Sequence, residues 1–120
     1  MAAPTVTNIQ SEWVTLRWPA PAVGLDALPL IGYIVQRTSN YGTTWQSTAA
    51  KPGDLLTSRY LNISLLDPYT EYSFRVSASN ILGRGRYSEP SGTVRTLPGG
   101  KSMITMKYTE IQIRCIFVFL

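Results

Sequence analysis

Leu66-Asp67-Pro68-Tyr69-Thr70-Glu71-Tyr72-Ser73-Phe74-Arg75-Val76-Ser77-Ala78-Ser79-Asn80 is the stretch on which the fold turns. Its second half puts Tyr72, Phe74, Val76 and Ala78 on one side of an extended chain and Ser73, Arg75, Ser77 and Ser79 on the other. A period of two is the signature of a strand with one face buried and one face wet. The first half places Leu66, Pro68, Thr70 and Tyr72 at alternate positions leading into that strand. We read this as a tyrosine corner, in which Tyr72 bonds back to upstream backbone across the connection that precedes its strand.

Outward from this stretch the pattern repeats. Trp13-Val14-Thr15-Leu16-Arg17-Trp18 places Val14, Leu16 and Trp18 on one face and Thr15 and Arg17 on the other. Two strands that are each apolar on one face require a second sheet to cover them. Seven strands are expected in all: A at 4–10, B at 12–18, C at 31–37, C′ at 43–49, E at 58–65, F at 71–80 and G at 87–97. Between them lie Pro19-Ala20-Pro21, Ser39-Asn40-Tyr41-Gly42, Lys51-Pro52-Gly53-Asp54 and Gly83-Arg84-Gly85, all rich in turn formers. Gly83-Arg84-Gly85 reads as a hairpin turn, because a strand follows it and no helix does.

The chain has 120 residues, which is room for one core. Seven Tyr, three Trp and eight Pro against 15% charged residues favour an all-β class. The net charge of +4 is spread along the chain and not gathered on one element, which argues against nucleic-acid recognition. The single cysteine, Cys115, permits no intrachain disulfide.

Several anchors, in order and spacing, resemble the fibronectin type III family. They are Trp18 before a proline-containing loop, Ile31-Gly32-Tyr33-Ile34-Val35, the corner, Phe74 to Asn80, and Gly83-x-Gly85-x-Tyr87-Ser88-Glu89-Pro90. The resemblance runs from Pro4 to about Leu97. It implies an immunoglobulin-like seven-stranded β-sandwich with sheets A-B-E and C-C′-F-G, in which Trp18, Tyr33, Leu66, Pro68 and Tyr72 are structural. The domain is expected at 4–97. Residues 98–120 are expected to be a linker, Gly99-Gly100-Lys101, and an apolar tail ending Ile116-Phe117-Val118-Phe119-Leu120. The tail reads as the first strand of a following domain, the start of a membrane span, or sequence past an exon boundary.

The chain contains no His, and its one Cys lies outside the expected domain. With no closely spaced carboxylate pair and no phosphate-cradling glycine loop either, acid-base, thiol and metal catalysis each lack a required group. No enzyme activity, cofactor or metal is therefore expected. Asp54, Asp67, Glu71 and Glu89 read as isolated, solvated loop acids. No apolar stretch approaches the roughly 20 residues of a membrane span, and Met1 to Thr7 does not form a signal peptide. The chain is accordingly expected to be a fragment of a larger product or intracellular, with contact to a membrane only through the parent chain.

Asn62-Ile63-Ser64 is an N-glycosylation sequon, and the alternation of strand E turns Asn62 outward. Candidate partner-binding residues are Arg84 and Arg86 in the loop between F and G, and Trp45 and Arg75 on the outer face of the C-C′-F-G sheet, with Arg95 beside them. An integrin-type tripeptide is not present, since the loop reads Arg84-Gly85-Arg86 without an acidic third residue. Tyr87-Ser88-Glu89-Pro90-Ser91 stands where cytokine receptors carry a tryptophan-serine repeat, but without its tryptophans. Arginine stacked on tryptophan is also a way to flatten a sheet surface, and hairpin arginines are also simply solvated.

The resemblance implies a monomeric protein-binding and spacer module of a multidomain cell-surface receptor or adhesion protein, in an extracellular setting. Its alternatives are a cytoplasmic, sarcomeric-type structural module, or an accessory domain of a receptor tyrosine phosphatase or other enzyme.

Overall fold

The computed structural model describes residues 1–21, 29–49 and 54–99. The expected turn at 51–53 and the tail from Lys101 onward lie outside the described residues.

The elements are β1 (Thr5–Ile9), β2 (Val14–Arg17), β3 (Gly32–Thr38), β4 (Gln46–Ser47), β5 (Tyr60–Ile63), β6 (Glu71–Asn80), β7 (Gly83–Arg84) and β8 (Val94–Arg95). One sheet has the order β1-β2-β5; the other runs β4-β3-β6-β7, with β8 also pairing to β6. All pairs are antiparallel. This is the expected two-sheet sandwich, A-B-E on C′-C-F-G.

The core forms where the inward faces meet. Val14, Leu16 and Ile63 from the smaller sheet pack with Tyr33, Val35, Phe74 and Val76 from the larger, and Trp18, Leu66 and Tyr72 close the ends. Phe74, Val76, Val14 and Leu16 are fully buried. Burying one such side chain stabilises the fold by about 1.5–3 kcal/mol. Trp18 meets Tyr33 edge-on, with ring centroids 5.5 Å apart. Leu56, on the approach to β5, exchanges both backbone hydrogen bonds with Tyr33, at 2.7 and 2.9 Å, and so ties the two sheets together.

Strands A, B and E are shorter than expected by a few residues, and two strands and one turn differ more. C′ contracts to Gln46–Ser47, so Trp45 stands just before a strand instead of within one. The hairpin turn falls at Ile81 and Leu82, and Gly83 and Arg84 are paired residues of β7 with Gly83 at φ 126°. Strand G, expected at 87–97, is the larger departure, because the regular ladder on that side of β6 is confined to β8 at one end and, at the other, to β7, which lies before the expected start.

Between those ends, serine hydroxyls replace carbonyls. The N–H of Val76 donates to Ser88 Oγ and that of Phe74 to Ser91 Oγ, each at 3.0 Å. In return, the N–H groups of Ser88 and Ser91 donate to the carbonyls of Val76 and Phe74, each at 2.7 Å. Three residues on one side thus match two on the other, and Pro90, which has no N–H to offer, sits in the extra space.

The described chain enters the sandwich at Thr5 and leaves it at Leu97, at opposite poles. Thr5 lies level with Arg17 and Tyr60, near the start of β3. Leu97 donates to the carbonyl of Gln10 and accepts from Tyr69 at the far end.

Candidate functional site

The outer face of the larger sheet collects most of the aromatic and cationic groups that the core does not use. Arg75 on β6 lies opposite Gln36 on β3, so both side chains rise from the same face. Arg75 donates from Nε and Nη2 to Gln36 Oε1 at 2.9 and 2.6 Å, which fixes the plane of the guanidinium. That plane sits between two rings, 4.3 Å from the centroid of Trp45 and 4.0 Å from that of Tyr87. Arg84 covers Tyr87 from the other direction at 4.4 Å and donates to the carbonyl of Gly85. The result is a four-layer stack, Trp45, Arg75, Tyr87, Arg84, with each exposed contact worth about 0.5–1 kcal/mol.

The turn between β3 and β4 holds Trp45 and Tyr41 in place. Asn40 anchors it: its Oδ1 accepts from Thr38 Oγ1 and from the N–H of Thr44, and its Nδ2 donates to Thr44 Oγ1. Buried Thr38 Oγ1 also accepts from the N–H of Gly42. Within this net Tyr41 takes φ 59°, a left-handed conformation that a bulky residue holds only when its surroundings impose it. The residue is 76% exposed, and its hydroxyl donates to Glu71 Oε1.

Glu71 in turn receives Arg95 at 2.9 Å, and Arg95 lies 4.6 Å over the ring of Tyr69, which also adopts a positive φ of 48°. The hydrogen bond from Tyr41, then that from Arg95, holds the Glu71 carboxyl below its ordinary range. The same bond, reinforced by the carboxylate charge, pushes the Tyr41 phenol up. The bonds to Glu71 and then Tyr69 raise Arg95.

Trp45, Arg75 and Arg84 are therefore brought together, while Arg86 is exposed and makes no hydrogen bond or ion pair among the described residues. Arg95 joins a separate group at the other end of the face. Glu71 is not a solvated loop acid but a strand residue with two partners. Sequence reading missed Tyr87, Gln36 and Tyr41. Gln36 was findable, since it lies two residues beyond outward-facing Ile34; Tyr41 was not, because a positive φ leaves no mark in the letters.

The opposite sheet presents a different surface. Asn62 is exposed there, and its Oδ1 accepts from Thr15 Oγ1 at 2.7 Å. Arg17 lies 5.4 Å over Tyr60 on the same face. Trp18, Tyr33, Leu66 and Tyr72 lie in the core, whereas Pro68 is exposed at the corner.

Two antiparallel sheets packed face to face, closed by a tyrosine corner, define an immunoglobulin-like β-sandwich. The chain belongs to the fibronectin type III domain family, whose model matches residues 2–94. It is similar to rat Contactin-3, with 39% identity over 93 residues, covering 76% of this chain and 9% of that protein. It is likewise similar to the zebrafish (Danio rerio) receptor-type tyrosine-protein phosphatase F, with 39% identity over 90 residues, covering 74% of this chain and 4% of that one. Among solved structures, domains A168-A170 from titin superimpose with a TM-score of 0.69 at 25% identity, covering 80% of this chain and 32% of theirs. The chain thus spans less than a tenth of the length of these two curated relatives.

Proposed function

We propose that this chain is a non-catalytic protein-interaction and spacer module of a multidomain receptor or cell-adhesion protein, displayed outside the cell. In this reading the domain spans 4–97, with 98–120 as linker and tail. Partners bind the outer face of the larger sheet through Trp45, Arg75 and Arg84, with Arg86 at its rim. The observation that carries the reading is the Trp45-Arg75-Tyr87-Arg84 stack, a rigid aromatic and guanidinium surface of the kind enriched at binding hot spots. Entry at Thr5 and exit at Leu97 on opposite poles suit a bead in a series. A glycan on Asn62 would occupy the other sheet and leave this face open.

The test is binding of the whole chain, clustered on beads, to an array of identified cell-surface ectodomains. At least one ectodomain should bind the wild-type chain and lose binding to a folded chain carrying Trp45→Ala and Arg75→Gln. Retention by that variant would move the site elsewhere.

The likeness to titin domains favours a second reading, a structural module of a giant intracellular protein. In that setting the stack stiffens the sheet and Asn62 carries no glycan.

A further inference from the structure

We infer that the partner accepted by this face is acidic: it offers carboxylates to Arg75 and Arg84 beside one apolar side chain that seats between Tyr41 and Trp45. The inference rests on the binding-face reading and adds the chemistry of the ligand.

Charge is the first argument. Arg75, Arg84 and Arg95 rise from this region, but Glu71 forms the one ion pair among the described residues, and it does so with Arg95. Arg75 is held by a neutral amide and Arg84 by a backbone carbonyl. Neither guanidinium has its charge neutralised within the described residues, and each retains N–H donors that Gln36 and Gly85 do not use. A carboxylate matches a guanidinium in both charge and geometry.

The pocket beside the stack supplies the second. It has a volume of about 170 Å³, room for one side chain, with Tyr41, Trp45 and Pro90 among its lining residues. Thr38, Ser73, Ser91 and exposed Thr93 also line it. Of these hydroxyls Thr93 alone keeps a free proton among the described residues, since those of Thr38, Ser73 and Ser91 are committed to Asn40 Oδ1, the carbonyl of Ser91 and the carbonyl of Gly92. The three committed groups offer an incoming side chain no donor, so beside them an apolar group fits better than a polar one. The bonded turn that fixes Tyr41 and Trp45 means the pocket exists before any ligand arrives, which limits the ordering cost of binding. Nucleic acid fits poorly, because Tyr87 carries an arginine on each side and Arg75 covers Trp45, leaving neither ring as a bare platform for base stacking.

The test pans a random dodecapeptide phage library on the whole chain, with parallel panning on Arg84→Glu and Trp45→Ala chains. Clones enriched on the wild type and lost on both variants should carry Asp or Glu close to Leu, Phe, Tyr or Trp. A synthetic peptide of that sequence should bind Arg84→Glu about tenfold more weakly, and replacing its acid by Lys should restore part of the loss on that variant alone. Face-dependent clones with no excess of acids would overturn this inference and leave the binding face standing. Clones indifferent to both variants, or no enrichment, would overturn both. Equal binding of an oligo-aspartate or an oligothymidylate would reduce the site to unspecific charge attraction and also overturn the inference.

Discussion

The backbone N–H of Asp67 donates to the phenolic oxygen of Tyr72 at 2.9 Å, across the connection that leads from β5 into β6. The same corner is gripped from the other side by Thr96, whose hydroxyl donates to the carbonyl of Asp67 at 2.6 Å and accepts the N–H of Thr70 at 2.9 Å. One tyrosine and one threonine, far apart in sequence, therefore set the angle at which the chain enters its longest strand.

Tyr72→Phe keeps the buried ring, stacked on Phe74, and removes only the acceptor of the Asp67 N–H. The expected loss is about 1 kcal/mol, the net value of one such bond. Urea denaturation of the two proteins measures it. Equal midpoints and slopes would mean that the phenol contributes nothing at the corner.

The hydroxyl-mediated edge makes a sharper prediction. Ser91→Ala removes the acceptor for the N–H of Phe74, a residue with 0% exposure, so water has no ready path to replace it. The cost is about 1–3 kcal/mol, the penalty for an unsatisfied buried donor. Ser58→Ala, at an exposed loop position whose hydroxyl bonds only to the carbonyl of Tyr60, is the control and should shift the midpoint by less than about 0.5 kcal/mol. Similar losses from both serines would remove the hydroxyl ladder as a source of stability.

The extent of strand β6, from Glu71 to Asn80, was legible, because a long period of two with aromatics on one side fixes which face meets the core. Ser73, Ser77 and Ser79, on the face expected to be wet, are buried as well, with Ser73 bonded to the carbonyl of Ser91 and Ser77 to that of Gly85. Strand G was not, since Pro90 and the two serines break the backbone ladder while keeping the pairing through side chains, and no periodicity reports that exchange. The candidate face was legible in part for a similar reason. Alternation says that Trp45 and Arg75 point outward, but only the register between β6 and the segment after β7 brings Tyr87 against Arg75. Glu71 was misread because its two partners, Tyr41 and Arg95, lie 30 and 24 residues away.

The Tyr41-Glu71 bond gives a pH signature with two edges. The Glu71 carboxyl is lowered from 4.5, so its contribution is complete above that value and is lost as pH falls through the lower folded value. The Tyr41 phenol is raised from 10.0, so its contribution is complete below that value and is lost as pH rises through the higher folded value. Ultraviolet titration, taken as the difference between wild type and Tyr41→Phe, should place this phenol above 10.0. Glu71→Gln should return it toward 10.0, since the charge and the strong acceptor both go. An unmoved titration in Glu71→Gln would show that the bond does not form in solution.

Asn62 bears on the choice between the two cellular settings, because only the secretory route would load a glycan on it. It is exposed at the centre of β5's outward face, directly across from Thr15 on β2. Thr15 Oγ1 donates to Asn62 Oδ1, whereas a glycan is carried on Nδ2, so the bond to Thr15 and the modification use different atoms. Inward neighbours Leu61 and Ile63 keep the core side of the strand, so a sugar on Asn62 displaces no packed group. Expression of the whole chain behind a secretion signal in mammalian cells should give a product whose mass falls on digestion with an N-glycosidase, and Asn62→Gln should abolish that change. The thermal midpoints of the digested and undigested proteins should agree to within about 2 °C, because the glycan leaves the sheet contacts intact. A single unmodified species would remove the support that the sequon gives to an extracellular module and favour the titin-like structural reading, in which the stack of Trp45, Arg75, Tyr87 and Arg84 serves the sheet alone.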